Sequence, residues 1–224
     1  ISFLFSFCRL TLRASLPGGG GYELREKELG KLHRAAAGGD LGRLQQLLKK
    51  HDINQLDKEN RTPLHLACAN GHSEVVTYLV DNKCKLNLCD NDNRSPLMKA
   101  VQCQQEKCAT MLLEHGADPN LVDVNSNTAL HLTAQTANIS LAVQLLEYNA
   151  HIDAQNKEGY TPLTIAITEN HQEMVEFLLR KGADVHFPLV VWHKVEKNLS
   201  LSLFLARCLL LRITMVMNNH YKYI

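Results

Sequence analysis

The sequence predicts an all-α repeat solenoid, in which stacked helix-turn-helix units are joined by β-hairpin-like loops. One motif returns at a fixed interval, because Thr62, Ser95, Thr128 and Thr161 are each 33 residues apart. A period of this size indicates stacked copies of one supersecondary unit. Within each copy the apolar residues recur at helical spacing, and turn-forming residues separate the apolar runs.

Composition narrows the class of protein. The chain has 224 residues, of which 45% are hydrophobic, as in ordinary globular proteins. Its formal net charge of +1 argues against a nucleic-acid binder that works through a large basic field. The seven cysteines are an odd number in a chain without a convincing export signal, so we expect reduced thiols and a cytoplasmic or nuclear location.

Residues 1–21 are expected to form a disordered N-terminal segment. The chain begins with Ile1 rather than Met, which suggests a fragment or a translation that runs upstream of the true start. Residues 1–7 are apolar but short, and arginines follow them instead of preceding them, which is not typical of a signal peptide. The four glycines at 18–21 predict a flexible hinge.

The repeat domain is predicted over residues 22–188, with about five repeats at 22–56, 57–89, 90–122, 123–155 and 156–188. The pattern from Tyr22 to Ala37 predicts the first helix. In the second repeat Thr62 suits a helix N-cap and Pro63 the first helical position. Gly71 suits a left-handed turn between two helices. Helices this short are marginal alone, so their stability must come from stacking.

Some repeats depart from this pattern. Gln104, Ala137 and Asn170 replace the inter-helix glycine, and only the asparagine accepts a left-handed backbone comfortably, so we expect strain or an altered turn at the other two. At the hairpin tips Asn60 and Asn93 can accept this conformation, whereas Ser126 is less suited.

These motifs resemble those of the ankyrin repeat proteins, over roughly residues 29–186. The resemblance is carried by Thr62-Pro63-Leu64-His65-Leu66-Ala67, Asn70-Gly71-His72, Leu112-Leu113, Gly116-Ala117-Asp118 and Gly182-Ala183-Asp184. More narrowly, residues 21–29, 32–40 and 62–71 resemble the mammalian POTE-type and related small ankyrin repeat domain proteins.

The resemblance implies a concave surface, formed by hairpin tips and first helices, that binds a protein partner. The residues at these variable positions are Lys58, Glu59, Arg61, Asn70, Asp92, Arg94, Lys99, Gln102, Asn125, Asn127, Gln135, Glu158, Tyr160 and Glu169. Their mixed charges suit a protein or peptide. Arg61, Arg94 and Tyr160 are favoured as hot spots, since arginine and tyrosine are enriched there.

No catalytic or metal site is predicted, so we expect a protein that is not an enzyme and has no cofactor. His65 and His131 each follow a threonine by three residues, which in ankyrin-type repeats ties the helix start to the loop. Asp57, Asp90 and Asp123 recur with the period, so we interpret them as loop formers that bond their own backbone. The cysteine spacings do not match a zinc site.

The repeat pattern ends before residue 189, and residues 189–224 are predicted to be a non-repeat hydrophobic tail. Residues 199–217 are long enough to span a membrane, but Arg207 and Arg212 bring the insertion free energy near zero. Three interpretations stay open: sequence from an alternative exon or read-through, a cap over the fifth repeat, and a membrane segment.

The alternatives to a soluble scaffold are therefore a membrane-tethered adaptor and, from the resemblance, a substrate of an asparaginyl hydroxylase. The resemblance places the modifiable asparagines at Asn87 and Asn120, each eight residues after a leucine.

Overall fold

A computed structural model describes residues 29–185, which contain ten α-helices and no β-strand. The helices pair into hairpins along the chain. They are α1 (Lys31–Ala37), α2 (Leu41–Leu48), α3 (Pro63–Asn70), α4 (Ser73–Asp81), α5 (Pro96–Gln102), α6 (Glu106–Glu114), α7 (Ala129–Thr136), α8 (Ile139–Glu147), α9 (Pro162–Thr168) and α10 (Gln172–Arg180).

The chain divides into two compact units, the first ending at Val124 and the second beginning at Asn125. In the first unit α3 packs between α1 and α5, and α4 packs on α6. In the second unit α7 packs on α9, and α8 packs on α10. First helices therefore stack on first helices and second helices on second helices, which confirms the predicted all-α repeat fold.

The starts of α3, α5 and α9 are fixed by a hydroxyl residue. The hydroxyls of Thr62, Ser95 and Thr161 each accept a hydrogen bond from the backbone N–H three residues later. In these three repeats a proline fills the first helical position, where no N–H is required. The caps predicted from the sequence are thereby confirmed.

The first helix begins later than the sequence predicted. Within the described residues it starts at Lys31, and Gly30 forms its N-cap with an extended backbone (φ −58°, ψ 158°). The backbone of Gly30 is extended and glycine disfavours a helix interior, which is the physical reason that the predicted helix does not continue through it. Residues 22–28 of the predicted helix lie outside the described residues.

Left-handed backbone recurs at three places in each of the second to fifth repeats. Between the helices Gln104 and Ala137 both have φ 56°, so the turn of Gly71 is kept with residues that disfavour it. At the hairpin tips Asn60 and Ser126 have φ 55° and 61°. The turns predicted to be strained or altered at Gln104 and Ala137 are therefore not altered.

The loops between repeats are hairpin-like turns held by one side chain. Asp57 Oδ1 accepts from the N–H groups of Glu59 and Arg61 at 2.9 and 2.8 Å, and Asp90 Oδ1 accepts in the same way from Asp92 and Arg94. The prediction that these carboxylates form loops is confirmed.

Neighbouring loops are joined at their tips by a backbone hydrogen bond. The N–H of Asn91 donates to the carbonyl of Glu59 at 3.1 Å, and that of Val124 donates to Asp92 at 3.0 Å. In the second unit Lys157 donates to Asn125 at 3.0 Å. Each unit therefore presents a connected row of loop tips beside its first helices.

Candidate functional site

The histidines of the repeat motif tie consecutive repeats together. In the second repeat the Nδ1 atom of His65 accepts from the N–H of Thr62 at 3.1 Å and lies 2.8 Å from its hydroxyl oxygen. Its Nε2 atom lies 3.0 Å from the carbonyl oxygen of Arg94, in the next loop. A neutral ring with its proton on Nε2 satisfies all of these bonds. His131 makes the same bonds to Thr128 and to the carbonyl of Tyr160.

Burial is the main cause that lowers the pKa of His65 to about 4, although the Arg94 carbonyl and nearby carboxylates oppose it. The ring is 1% exposed and therefore cannot reach a substrate. The structural role predicted for His65 and His131 is confirmed.

The first repeat has the histidine without its partner. His33 Nε2 lies 2.9 Å from the carbonyl oxygen of Arg61, but its Nδ1 atom is buried without a hydrogen-bond partner. The residue three positions earlier is Gly30, where the second, fourth and fifth repeats have threonine. The missing hydroxyl accounts for the unsatisfied nitrogen.

In the first unit, three of the four predicted partner-binding cations, Arg61, Arg94 and Lys99, are paired with loop carboxylates of the repeats. Arg61 pairs with Asp57, with its Nε and Nη2 atoms each 2.8 Å from Asp57 Oδ2, and the two side chains are 13% and 2% exposed. Lys99 lies 2.9 Å from Asp90. Burial alone would raise the pKa of Asp90, but hydrogen bonds from Lys99 and the Arg94 backbone outweigh it and lower the pKa.

Arg94 is also engaged within the first unit. Its guanidinium lies 3.4 Å from Gln102 Oε1, 3.7 Å from Asp92 and 3.9 Å from Asp123. Its side chain is 19% exposed. Arg61 and Arg94 therefore hold loop conformation, and the hot-spot role predicted for them stays a prediction.

The remaining predicted residues of the first unit are accessible to different extents. Lys58, Glu59 and Asp92 are exposed on the loop tips, and Glu59 Oε2 accepts from Asn91 at 3.4 Å. Asn70 is half-buried and donates to the Leu66 carbonyl at 3.0 Å. These tips form an open surface of mixed charge.

The second unit contains a cleft that brings its predicted residues together. The cleft has a volume of about 310 Å³. All six predicted residues of this unit line it: Asn125, Asn127, Gln135, Glu158, Tyr160 and Glu169. His131, Leu132 and Ile165 from α7 and α9 also line it, so polar loop tips adjoin partly apolar helix surface.

One asparagine organises the loop beside this cleft. Asn156 Oδ1 accepts from the N–H groups of Glu158 and Tyr160 at 3.0 and 2.9 Å, as the aspartates do in earlier repeats. Its Nδ2 donates to Asn127 Oδ1 at 2.9 Å, which joins the two loops that line the cleft. The side chains of the loop are thus positioned by a hydrogen-bonded frame.

The sequence prediction missed four residues that line the cleft, Leu132, Asn156, Ile165 and Thr168. Repeat register could have found three of them. Leu132 and Ile165 are 33 and 66 residues after Lys99, and Thr168 is 33 residues after Gln135; Lys99 and Gln135 were both predicted.

A second cavity of about 700 Å³ lies in the first unit, beside α2 and α4. Its lining includes Gln45, Lys49, His51 and Tyr78. None of the predicted residues lines it.

The cysteines of the described residues are free thiols. Burial raises the pKa of Cys84 and of Cys108 to about 11, which makes them poor nucleophiles at neutral pH. Within residues 29–185, no group of three His, Cys, Asp or Glu side chains could hold a metal ion.

The two asparagines predicted for modification lie in the turns after α4 and α6. Asn87 is exposed, and its Oδ1 accepts from the N–H of Asp118 at 3.0 Å. Asn120 is half-buried, and its N–H donates to Asp118. Hydroxylation of either residue stays a prediction.

Among residues 29–185 no helix has the length and apolar character needed to cross a membrane. The membrane segment considered at 199–217, the tail from 189 and the N-terminal segment 1–21 lie outside the described residues.

Comparison with known proteins supports the resemblance drawn from the motifs. The family model described as "Ankyrin repeats (3 copies)" matches residues 32–123 and 118–188. Human "Ankyrin repeat domain-containing protein 7" is 55% identical over 84 residues, which are 37% of this chain and 32% of that protein. The aligned part of the chain thus spans about a third of the length of this relative. The narrower resemblance to POTE-type proteins stays a prediction.

Proposed function

Because this chain belongs to the ankyrin repeat family, we propose that it is a non-enzymatic scaffold or adaptor that binds a protein partner in the cytoplasm or nucleus. Ankyrin repeats are generally modules for protein–protein interaction and are typically non-enzymatic. The choice of partner and the surface that binds it are the proposed part. Repeats share their framework, so specificity must come from the variable residues beside it.

The observation that carries the proposal is the cleft of the second unit. Six residues chosen from the sequence alone line one cavity of about 310 Å³. Concave sites with a partly apolar lining and a few placed polar groups are the usual form of a binding site. The loop that contributes Glu158 and Tyr160 is braced by Asn156, so little ordering is required when a partner binds.

The chemistry of the cleft favours an extended peptide segment of a partner protein. Leu132 and Ile165 offer apolar contact, and the ring of Tyr160 adds a large amphipathic surface. Glu158 and Glu169 are exposed and can pair with a basic side chain of that segment. The amide group of Gln135 can bond its backbone.

Proximity labelling in cells tests this proposal with three forms of the full chain. One form is unchanged, one carries Gln135→Ala, Glu158→Lys and Tyr160→Ala, and the control carries Glu147→Lys, an exposed residue at the end of α8 outside the cleft. Labelling of the proteins that the unchanged and control forms label should fall by at least about tenfold in the cleft variant. That decrease corresponds to a loss of roughly 1.4 kcal/mol of binding free energy.

Thermal unfolding of each form must be compared first, so that a loss of partners is not a loss of fold. If the cleft variant is folded and labels the same proteins to the same extent, the cleft is not the binding surface. Labelling restored by a partner that carries the opposite charge against Glu158→Lys would identify the contact directly.

A further inference from the structure

The cavity of about 700 Å³ in the first unit is formed by different elements from the cleft of the second unit. Most of its lining residues lie on the second helices α2 and α4 or directly after them, among them Gln45, Lys49 and Tyr78. The cleft is instead lined by loop tips and by the first helices α7 and α9. The cavity is therefore a separate candidate for binding.

Gly42 of α2 keeps this cavity open. Apart from neighbouring backbone, a Cβ atom added to this lining residue would meet, among the described residues, only Asp40 Oδ1, at 3.9 Å. Gly42 lies within the helix and lacks a positive φ, so a side chain is allowed there without backbone strain. The space beside α2 is thus left by the absence of a side chain.

The charge of the cavity comes from Lys49. Among the described lining residues there is no Asp or Glu, and the carboxylates nearest in the sequence, Asp52 and Asp81, are not part of the lining. Lys49 is exposed and pairs with no carboxylate of the described residues, unlike the arginines of the loops. Its ammonium group is therefore available to an anion.

Comparison of the repeats shows that the fold does not require a cation at the position of Lys49. A cation near the C-terminus of a helix is favourable, since it lies close to the last carbonyl groups. The same position counted from the helix N-cap is nevertheless acidic in the next three repeats, where it is Asp81, Glu114 and Glu147. The positive charge is thus a property of this cavity and not of the repeat.

We propose that this cavity is a second docking site, which binds an acidic segment of a partner protein. Lys49 pairs with a carboxylate of the segment, to which the side-chain N–H groups of Gln45 and His51 can also donate. Leu48 and Ile53 are half-buried lining residues that offer contact to an apolar side chain beside that carboxylate. A small anion would leave this apolar lining unused, so a segment of a protein fits the whole cavity better.

The two sites have opposite charge preferences. Glu158 and Glu169 line the cleft and favour basic side chains, whereas Lys49 makes the cavity favour acidic ones. The chain can then bind two segments of opposite charge, one in each unit.

Peptide selection followed by binding measurements tests the second site in the full chain. A random peptide library displayed on phage is selected against the unchanged protein, and the recovered peptides should include a set enriched in Asp and Glu. The affinity of one synthetic peptide from this acidic set is then measured by fluorescence anisotropy. Gly42→Phe, which fills the cavity without changing its charge, and Lys49→Glu, which reverses the charge, should each weaken binding by at least about tenfold.

Lys107→Glu is the matched control. It makes the same change of charge at an exposed residue of α6 that does not line the cavity, so it should leave the affinity unchanged. The cleft variant should bind the acidic peptide at least as tightly as the unchanged protein, which separates a failure of this site from a failure of the cleft. Thermal unfolding shows whether each variant is folded, and if Gly42→Phe is not, Lys49→Glu at its exposed position still decides the question.

Four results would overturn the second site. They are a selection without enrichment in Asp and Glu, an acidic peptide whose affinity Lys49→Glu leaves unchanged, equal weakening by the Lys107→Glu control, and displacement of the peptide by millimolar inorganic phosphate at constant ionic strength. The last result would assign the cavity to a small anion instead of a protein segment.

Discussion

Serine in place of Gly30 should stabilise the first repeat. The backbone of Gly30 (φ −58°, ψ 158°) is close to that of Thr62 (φ −85°, ψ 164°), so a side chain can be added without strain. A Cβ atom there would lie 3.5 Å from His33 Nδ1, in ordinary contact. A hydroxyl on that atom could reach Nδ1 and the first turn of α1, as Thr62 does in the second repeat.

The gain in stability is set by the hydrogen bond that the new hydroxyl supplies to His33 Nδ1 and by the loss of glycine flexibility in the unfolded chain. An unsatisfied buried polar atom costs about 1–3 kcal/mol, and His33 Nδ1 is such an atom. Replacing glycine at a compatible backbone position adds roughly 0.4–1 kcal/mol by restricting the unfolded chain. The lower part of this sum, about 2 kcal/mol, corresponds to about a 30-fold smaller equilibrium constant for the opening of α1.

Hydrogen exchange of the α1 amides in the full chain measures this opening directly. Gly30→Ala is the matched control, because it gains the backbone term without the hydroxyl and should slow exchange only about two- to fivefold. The advantage of serine over alanine should disappear when His33 is also changed to Phe. Equal exchange in the serine and alanine variants would refute the assigned role of the hydroxyl.

Three further perturbations follow from the repeat geometry. Ala137→Gly should raise the stability by about 0.5–1 kcal/mol and the Tm by about 2 °C, since it relieves φ 56° on a residue with a Cβ. The control Ala154→Gly is at a position without a positive φ, so it should lower the Tm in the same thermal scans. Burial favours neutral His65 in the folded state, so its contribution to stability, up to about 3 kcal/mol, should be complete above pH 6.5 and fall as the pH drops towards about 4. In urea unfolding across this pH range, the stability of His65→Gln should fall less steeply than that of the unchanged protein. Equal slopes would contradict the assignment. Asp57→Ala should lower the free energy of unfolding measured in urea by about 2–3 kcal/mol, because it removes two loop hydrogen bonds and leaves Arg61 unpaired. The control Glu74→Ala changes an exposed residue and should have little effect.

Much of the framework could be predicted because it rests on local chemistry. A threonine before a proline predicts a helix start, and a recurring aspartate predicts a turn that bonds its own backbone, whatever surrounds them. Thr62 and Asp57 satisfy both expectations in the structure. The left-handed turns at Gln104 and Ala137 were harder to predict, since the backbone preferences of glutamine and alanine oppose this conformation. Only the stacked helices on either side enforce it.

The surface was less predictable because it depends on which side chains are already bonded. Arg61 is four residues from Asp57, but only the turned loop brings the two groups to 2.8 Å. Position in the repeat therefore located a variable surface without showing which residues are free to bind. In the second unit the predicted residues line one cleft, and Glu158 and Tyr160 extend from a loop whose frame is supplied by Asn156.

The histidine bridges also show how local the ties between repeats are. The bridges of His33, His65 and His131 each link a first helix to the following loop across 28 or 29 residues. Each of these bonds therefore joins two neighbouring repeats within one unit, so a substitution at one histidine should loosen the junction that it spans and leave the other bridged junctions intact.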